Sequence, residues 1–418
     1  MHSVTHAIPT GTIPAIPAKA HAHRALIAAA LANTPSTILL SRSSKDIDAT
    51  MDSLRALGAD ISYDNQVVSI TPHPAPTHGA IRPHESGTTL RLLLPVAASI
   101  CSTVDVDAKG RLPDRPLEPL KGEMESHGVN FSQNKPPFTM TGRLTSGVFR
   151  MVGDVSSQFF SGLLLAAPQL GKTIIESTTP LQSRNYVTLT IEVMKDFGVA
   201  VSVDDTQHIF TIDEEATFIG QTHYPIEGDW SNAAIWLVAA AITGEPITIT
   251  GLNKDSVQAD RQITDILSAA GCELTWEGRN ITCHKKATTP LQVNLEQIPD
   301  LLPVLSALAC SISGESAFLN GARLRLKECD RLDAIFKMVQ SLGGQVRMDG
   351  DDIYITGTGS LRGGMVDCYN DHRLVMAGSL AALIAQEPVL LKDSEAISKS
   401  YPQFFEDWNQ LGGEAHVI

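Results

Sequence analysis

The sequence predicts an α/β protein of two domains, each built from three copies of one strand-and-helix unit wrapped around buried helices. Three observations in the 418-residue chain carry that prediction. A glycine-ended amphipathic segment recurs six times, an almost wholly apolar helical segment recurs on nearly the same beat, and one strand is left over at the N-terminus.

The amphipathic segments end at Gly58, Gly128, Gly198, Gly271, Gly343 and Gly412, at spacings of 70, 70, 73, 72 and 69 residues. Ser53-Leu-Arg-Ala-Leu-Gly58 and Met338-Val-Gln-Ser-Leu-Gly343 are typical. Glycine takes the left-handed conformation past a helix without a Cβ clash, so each of these glycines marks a helix end. Short apolar strands follow, and the stretches 61–70 and 346–355 have the pattern of hairpins. The second kind of helix covers 25–32, 92–100, 159–167, 233–242, 301–312 and 374–384. A helix without a polar face belongs inside a protein or a membrane, and none of these runs reaches the ~18 apolar residues of a membrane span. Each unit therefore wraps its strands around a buried, alanine-rich helix. The sixth unit ends at 414–418 with one strand, and the N-terminal segment 6–13 is expected to pair with it. A single ring of six units satisfies the same periodicity, but two groups of three suit ordinary domain sizes better. The expected domains are 1–16 with 229–418, and 17–228, with crossovers near 16–18 and 227–229.

Charge and cysteine usage narrow the function. Lys plus Arg number 32 against 46 Asp plus Glu, a net charge of −14, the opposite of a protein that lives on nucleic-acid phosphates. The six cysteines are scattered without a C-x-x-C pair, as in a reduced cytoplasmic protein. Lys19 and Arg24 ahead of 25–32 imitate an export signal, but they lie behind Pro9, Pro14 and Pro17, and the expected location is the cytoplasm.

The chemistry gathers at helix starts. Lys45, Arg115, Arg184, Arg261, Arg331 and Lys399 stand 13, 13, 14, 10, 12 and 13 residues before their glycines. Helix N-termini already carry partial positive charge, so a cation there calls for a nearby carboxylate or a bound anion. The bland reading is the adjoining carboxylate: Asp46, Asp114, Asp260 and Asp330 sit beside four of the six. Six cations in register favour a shared anion-binding face. The buried helices start with Gly87-Thr-Thr-Leu-Arg91, Ser156-Ser-Gln158 and Asn370-Asp-His-Arg373, whose hydroxyls serve either as helix caps or as phosphate ligands. Gly171-Lys-Thr173 lacks the rest of a P-loop, and Gly357-Thr-Gly359 lacks the rest of a dinucleotide fingerprint. His21 and His23 would share one side of an extended chain, but no further ligand is near, and a metal-free reading is preferred.

Lys19…Arg24-Ala-Leu, Glu85-Ser-Gly-Thr-Thr-Leu-Arg91, Asp114-Arg-Pro116, Ser156-Ser-Gln-Phe159, Lys327-Glu-Cys-Asp-Arg331, Tyr369-Asn-Asp-His-Arg373 and Lys399-Ser-Tyr-Pro402 fall in order along the chain. Together they strongly resemble the EPSP synthase (3-phosphoshikimate 1-carboxyvinyltransferase) family of enolpyruvyl transferases over nearly the whole length. The resemblance implies an inside-out α/β barrel architecture (EPT/RTPC-like), with two domains of three βαβαββ repeats that close on substrates through the crossovers. It implies transfer of the enolpyruvyl group of phosphoenolpyruvate to the 5-hydroxyl of shikimate 3-phosphate, in aromatic amino-acid biosynthesis. Addition and elimination through a tetrahedral intermediate would need no metal and no organic cofactor. The two small molecules would be the partners of a monomer, with no nucleic acid and no membrane.

Carried over by motif, Lys19, Arg115, Arg331, Arg373 and Lys399, with Gly87 and Gln158, would hold phosphoenolpyruvate. Ser156, Ser157, Gln158 and Ser183, with Lys19 and Lys327, would hold shikimate 3-phosphate, and Arg24 its carboxylate. Asp300 would contact the ring hydroxyls and act as general base, with Lys19 and Glu328 sharing proton transfer. Two positions depart from the family pattern: Ala20 stands in place of a serine, and Arg323 in place of an asparagine. A hydrogen bond lost at Ala20 would cost about 1–3 kcal/mol if it left a buried partner unpaired. The nearest rival is the enolpyruvyl transferase of the same fold that acts on UDP-N-acetylglucosamine, which the order Ser156-Ser-Gln158 and the pair Lys327-Glu328 disfavour. A non-catalytic binding scaffold is the rival of another class.

Overall fold

The computed structural model describes residues 1–418, which divide into two units: 1–16 with 227–418, and 17–226. Twelve α-helices alternate between the two kinds read from the sequence. The buried ones are α1 (Lys19–Ala30), α3 (Gly87–Ile100), α5 (Ser157–Ala166), α7 (Trp230–Thr243), α9 (Leu302–Ser311) and α11 (His372–Ala382). The amphipathic ones are α2 (Lys45–Ala56), α4 (Leu120–Ser126), α6 (Asn185–Asp196), α8 (Ile263–Ala269), α10 (Arg331–Ser341) and α12 (Phe404–Gln410). All six repeat glycines have positive φ, between 81° and 111°, which a Cβ would strain.

Six four-stranded sheets accompany the helices, three in each unit. In each, two parallel strands joined edge to edge are followed by an antiparallel pair. The sheet of His78–His84, Thr103–Ala108, Phe138–Thr141 and Asn130–Phe131 shows the order. The expected hairpins are Asp60–Asp64 with Val67–Thr71, and Gln345–Asp349 with Asp352–Gly357. At the crossovers, first strands are exchanged. Gly11–Pro14 leads into α1 yet pairs in parallel with Ile247–Thr250, whereas Tyr224–Pro225 leads toward α7 yet pairs with Ser36–Leu39.

The expected N-terminal strand 6–13 is not the one that meets the last strand. Two short strands replace it, His2–Val4 and Gly11–Pro14. His2–Val4 lies between Val389–Lys392 and Ala415–Val417, so the chain ends do pair, but several residues earlier than the pattern suggested. Pro9, with no N–H to give a ladder, sits in the intervening bend, where Ala7 N–H already turns back to Thr5 O at 2.9 Å.

Each unit has its own apolar core. That of 1–16 with 227–418 is centred on α7, α9 and α11 and includes the fully buried Trp230, Trp236 and Trp408. The other is centred on α1, α3 and α5 and includes Phe149, Phe159 and Phe160. Each buried Leu, Ile or Phe contributes about 1.5–3 kcal/mol, so the helices are held by their surroundings and not by propensity. Four of them start on a side-chain cap: Ser86, Ser156, Asp229 and Asp371 accept from the first-turn N–H groups of α3, α5, α7 and α11.

Candidate active site

In the unit of 1–16 and 227–418, Arg331 is the pivot. It opens α10, its side chain is 1 % exposed, and its guanidinium meets three carboxylates. Nε contacts Asp371 Oδ2 at 2.9 Å, Nη1 contacts Asp300 Oδ1 at 2.8 Å, and Nη2 contacts Glu328 Oε2 at 2.7 Å. Burial alone would lower its pKa, but Asp371, Glu328 and Asp300 outweigh burial and hold it well above the usual value.

Asp300 sits in the 3-10 turn Pro299–Leu301 that leads into α9. Besides Arg331, it meets Lys327 Nζ at 3.2 Å and Arg373 Nη2 at 3.5 Å, and its main-chain oxygen accepts from Arg373 Nη1 at 3.2 Å. Burial would push its carboxyl up, yet Arg373, Lys327 and Arg331 together hold it well below the usual range. Lys327 is pulled down to about 8, first by burial and then by Arg331 and Arg323, against the opposing pull of Asp300. Lys399, closing the turn Ser394–Lys399, donates to Asn370 O at 2.7 Å.

Two acids here escaped the sequence reading. Asp371 is wholly buried, receives Arg331 and Cys329, and caps α11 by accepting from Arg373 N–H at 2.9 Å. One carboxylate thus fixes the orientation of Arg331 and the start of the helix that carries Arg373. Its signal was an aspartate immediately before an apolar helix. Asp260 stands out in the sequence only as the neighbour of Arg261. It is buried, accepts from the Ser231 hydroxyl, and its pKa is raised to about 6 by burial first and by Asp300 second.

In the unit of 17–226, Lys19 opens α1 and pairs with Asp46 Oδ2 at 2.8 Å, both side chains mostly buried. Gly87 opens α3, and a Cβ built there would lie 2.8 Å from Arg115 Nη1 and 3.2 Å from its Cζ. The missing side chain lets the Arg115 guanidinium lie directly on the helix start. Gln158, in the first turn of α5, donates to Thr88 Oγ1 at 2.9 Å and accepts from Arg91 Nη1 at 3.0 Å. Arg91, the last residue of the Glu85–Arg91 motif, orients this amide. Ser156 caps α5, Ser157 is its first residue, and both are buried. Ser183 is buried with φ of 49°, immediately before the N-cap of α6.

Arg24 is buried and hydrogen-bonded within the unit of 17–226. Nε donates to Thr190 Oγ1 at 2.7 Å, Nη1 to Ala20 O at 2.6 Å, and Nη2 to Ser161 Oγ at 3.2 Å and Tyr186 O at 3.1 Å. These bonds occupy four of its five N–H groups, and burial lowers its pKa to about 10. His21 and His23 lie on a helix, not an extended chain, and turn to different partners, Tyr224 Oη and Thr50 Oγ1. The carboxylates beside the repeat cations also pair elsewhere: Asp46 with Lys19, Asp114 with Lys135 at 2.8 Å, and Asp330 with Arg325 at 3.2 Å. At Arg331 the partners are Asp371, Asp300 and Glu328 and not the adjoining Asp330.

A sequence profile for EPSP synthase (3-phosphoshikimate 1-carboxyvinyltransferase) matches residues 7–408. The chain belongs to the EPSP synthase family. Its relatives include the 3-phosphoshikimate 1-carboxyvinyltransferase of Clostridium kluyveri, 39 % identical, with the match covering 97 % of this chain and 95 % of that protein. That of Methanocorpusculum labreanum is 34 % identical, with 97 % of each chain covered. The solved EPSP synthase of Acinetobacter baumannii aligns with a TM-score of 0.82 over 100 % of this chain and 99 % of its own, at 23 % identity. EPSP synthase architecture is therefore the fold of this chain, in agreement with the two-domain α/β class expected from the repeat.

Proposed function

We propose that this member of the family transfers the enolpyruvyl group of phosphoenolpyruvate to the 5-hydroxyl of shikimate 3-phosphate and releases inorganic phosphate, a step toward the aromatic amino acids. The observation that carries the reading is the Asp300 carboxylate ringed by Arg331, Lys327 and Arg373 in a chain of this family. Both substrates are multiply anionic, and guanidinium forks neutralise carboxylate and phosphate without losing charge at any working pH. Arg115, Arg331, Arg373 and Lys399, with Lys19, Gly87 and Gln158, are assigned to phosphoenolpyruvate. Ser156, Ser157, Gln158, Ser183, Lys19 and Lys327 are assigned to shikimate 3-phosphate, and Arg24 offers its remaining Nη1 proton to the ring carboxylate.

In the reaction, the 5-hydroxyl oxygen bonds to C2 of phosphoenolpyruvate while C3 gains a proton. The tetrahedral adduct then loses phosphate as C3 gives a proton back. Asp300 takes the hydroxyl proton, and Lys19 and Glu328 exchange the proton at C3. With three cations on it, Asp300 is ionised but weakly basic. Substrate phosphate and carboxylate groups draw those cations toward themselves and so raise its basicity once both substrates are bound. No metal or organic cofactor enters these steps.

Phosphate release from phosphoenolpyruvate, measured with each acceptor, tests the reading. Release with shikimate 3-phosphate is expected. Release only with UDP-N-acetylglucosamine would overturn the acceptor, and ligand binding without turnover would make the chain a scaffold. Six unpaired, buried cysteines support a reducing cytoplasmic setting, where we place the protein as a monomer.

A further inference from the structure

We infer that His23 is a positioning residue for Lys19, acting through a one-way chain of hydrogen bonds that ties α1 to the first turns of α2 and α3. The inference deepens the proposed function, since it rests on Lys19 taking part in proton transfer.

His23 lies one helical turn after Lys19 on α1 and is wholly buried. Its Nδ1 is 2.6 Å from Thr50 Oγ1, and Thr50 Oγ1 is 2.7 Å from Thr89 Oγ1. Thr89 Oγ1 in turn reaches Ser86 Oγ at 2.8 Å and the main-chain oxygen of Asp46 at 3.3 Å. A carbonyl only accepts, which sets the direction of the whole chain. The single Thr89 hydroxyl proton is shared between Asp46 O and Ser86 Oγ, which leaves Thr50 to donate to Thr89, and Thr50 then accepts from His23. The imidazole therefore carries its proton on Nδ1, and Nε2, which has no hydrogen-bond partner, keeps its lone pair. Burial, Lys19 and Arg24 all disfavour a second proton, so the ring stays neutral.

The far end of the chain is the useful end. The Asp46 residue whose backbone is held by Thr89 is the one whose carboxylate meets Lys19 at 2.8 Å. Ser86 is the cap of α3, one residue before Gly87, and Thr89 N–H also donates to it at 3.2 Å. A neutral donor at position 23 thus fixes the counter-ion of Lys19 without adding a competing cation one turn away. Buried networks of this kind are rigid when every link is made.

The test compares H23L, H23N and T50V with the parent protein. The asparagine amide N–H replaces the Nδ1 donor, the leucine removes it, and T50V cuts the chain at its middle. Lys19 is observed directly as the 13C signal of its reductively dimethylated amine, assigned with K19M. H23L and T50V are expected to shift that signal and to lower kcat about 10- to 100-fold, the scale of a misplaced catalytic group, with both KM values nearly unchanged. H23N is expected to restore both. An unmoved Lys19 signal in H23L and T50V overturns the inference whatever the activity does, as does failure of H23N to restore it. Should H23L not fold, T50V decides. A shifted signal together with an active K19M would leave the positioning intact and remove Lys19 from the reaction, so the two failures are told apart.

Discussion

Replacing Gly87 with alanine adds one methyl group at a position where the consequence is calculable. Gly87 does not need positive φ, and its built Cβ falls 2.8, 3.2 and 3.5 Å from Nη1, Cζ and Nη2 of Arg115. Carbon against these atoms wants about 3.5–4 Å, so the guanidinium must retreat by roughly an ångström. It is the far end of a flexible side chain and can do so cheaply. Alanine also suits a helix better than glycine by about 1 kcal/mol, so stability should hold or rise slightly. The loss falls on whatever Arg115 binds. A charge-assisted hydrogen bond is worth about 1.5–3 kcal/mol, which is roughly 10- to 150-fold in affinity. Initial rates of phosphate release are to be measured against phosphoenolpyruvate with shikimate 3-phosphate saturating, then with the two exchanged, alongside thermal unfolding. The KM for phosphoenolpyruvate should rise within that range while the KM for the acceptor and the unfolding midpoint stay put. An unchanged KM for phosphoenolpyruvate, or a rise shared equally by both substrates, would refute the assignment of Arg115.

Lys19→Met should lower kcat by orders of magnitude with the unfolding curve intact, and retained turnover would exclude Lys19 from proton transfer. Lys327, with its pKa lowered to about 8, discharges as pH rises through that value, so the KM for shikimate 3-phosphate should climb above pH 8 and Lys327→Met should abolish the climb. Because its folded pKa lies below its unfolded one, the same group makes the fold more stable as pH rises between about 8 and 10.5. Asp260 has the opposite sign: a carboxyl raised to about 6 destabilises the fold as pH rises from 3.8 through 6. Asp260→Asn, which keeps an acceptor for Ser231, should gain on the order of 1–3 kcal/mol over the parent in urea unfolding at pH 7.5 and almost nothing at pH 4. Equal stability at both values would contradict the buried-acid reading.

The architecture was legible because its two signals are local. A positive-φ glycine after a helix and an apolar helix without a polar face are both set within a dozen residues, and both recur six times. Strand exchange at the crossovers was not legible. Gly11–Pro14 and Tyr224–Pro225 each precede the helix their position suggests, but they pair with partners about 200 residues away, and nothing in either segment names that partner. The misplaced N-terminal strand has the same origin, since alternation alone does not show that a bend at Pro9 splits one strand into two.

Legibility of the site follows the same division between local and distant. Cations near the amphipathic helices are visible in sequence because they recur at nearly the same distance before the repeat glycines. What they touch is not, and Arg331 shows the cost of that gap. Read alone, it is a free fork for a substrate carboxylate; in the fold, Asp371, Asp300 and Glu328 already occupy all three of its nitrogens. One N–H on each of Nη1 and Nη2 remains, so a substrate anion either binds beside a resident carboxylate or displaces it, and the three are not equally replaceable. Asp371 is fully buried and also caps α11, whereas Asp300 and Glu328 are 16 % and 22 % exposed. Breaking the pair with Asp371 would strand a buried charge at about 3–5 kcal/mol. Exchange therefore falls on Nη1 and Nη2, the two edges facing the residues assigned to proton transfer, so that an anion displacing a carboxylate there frees Asp300 or Glu328 in the same event.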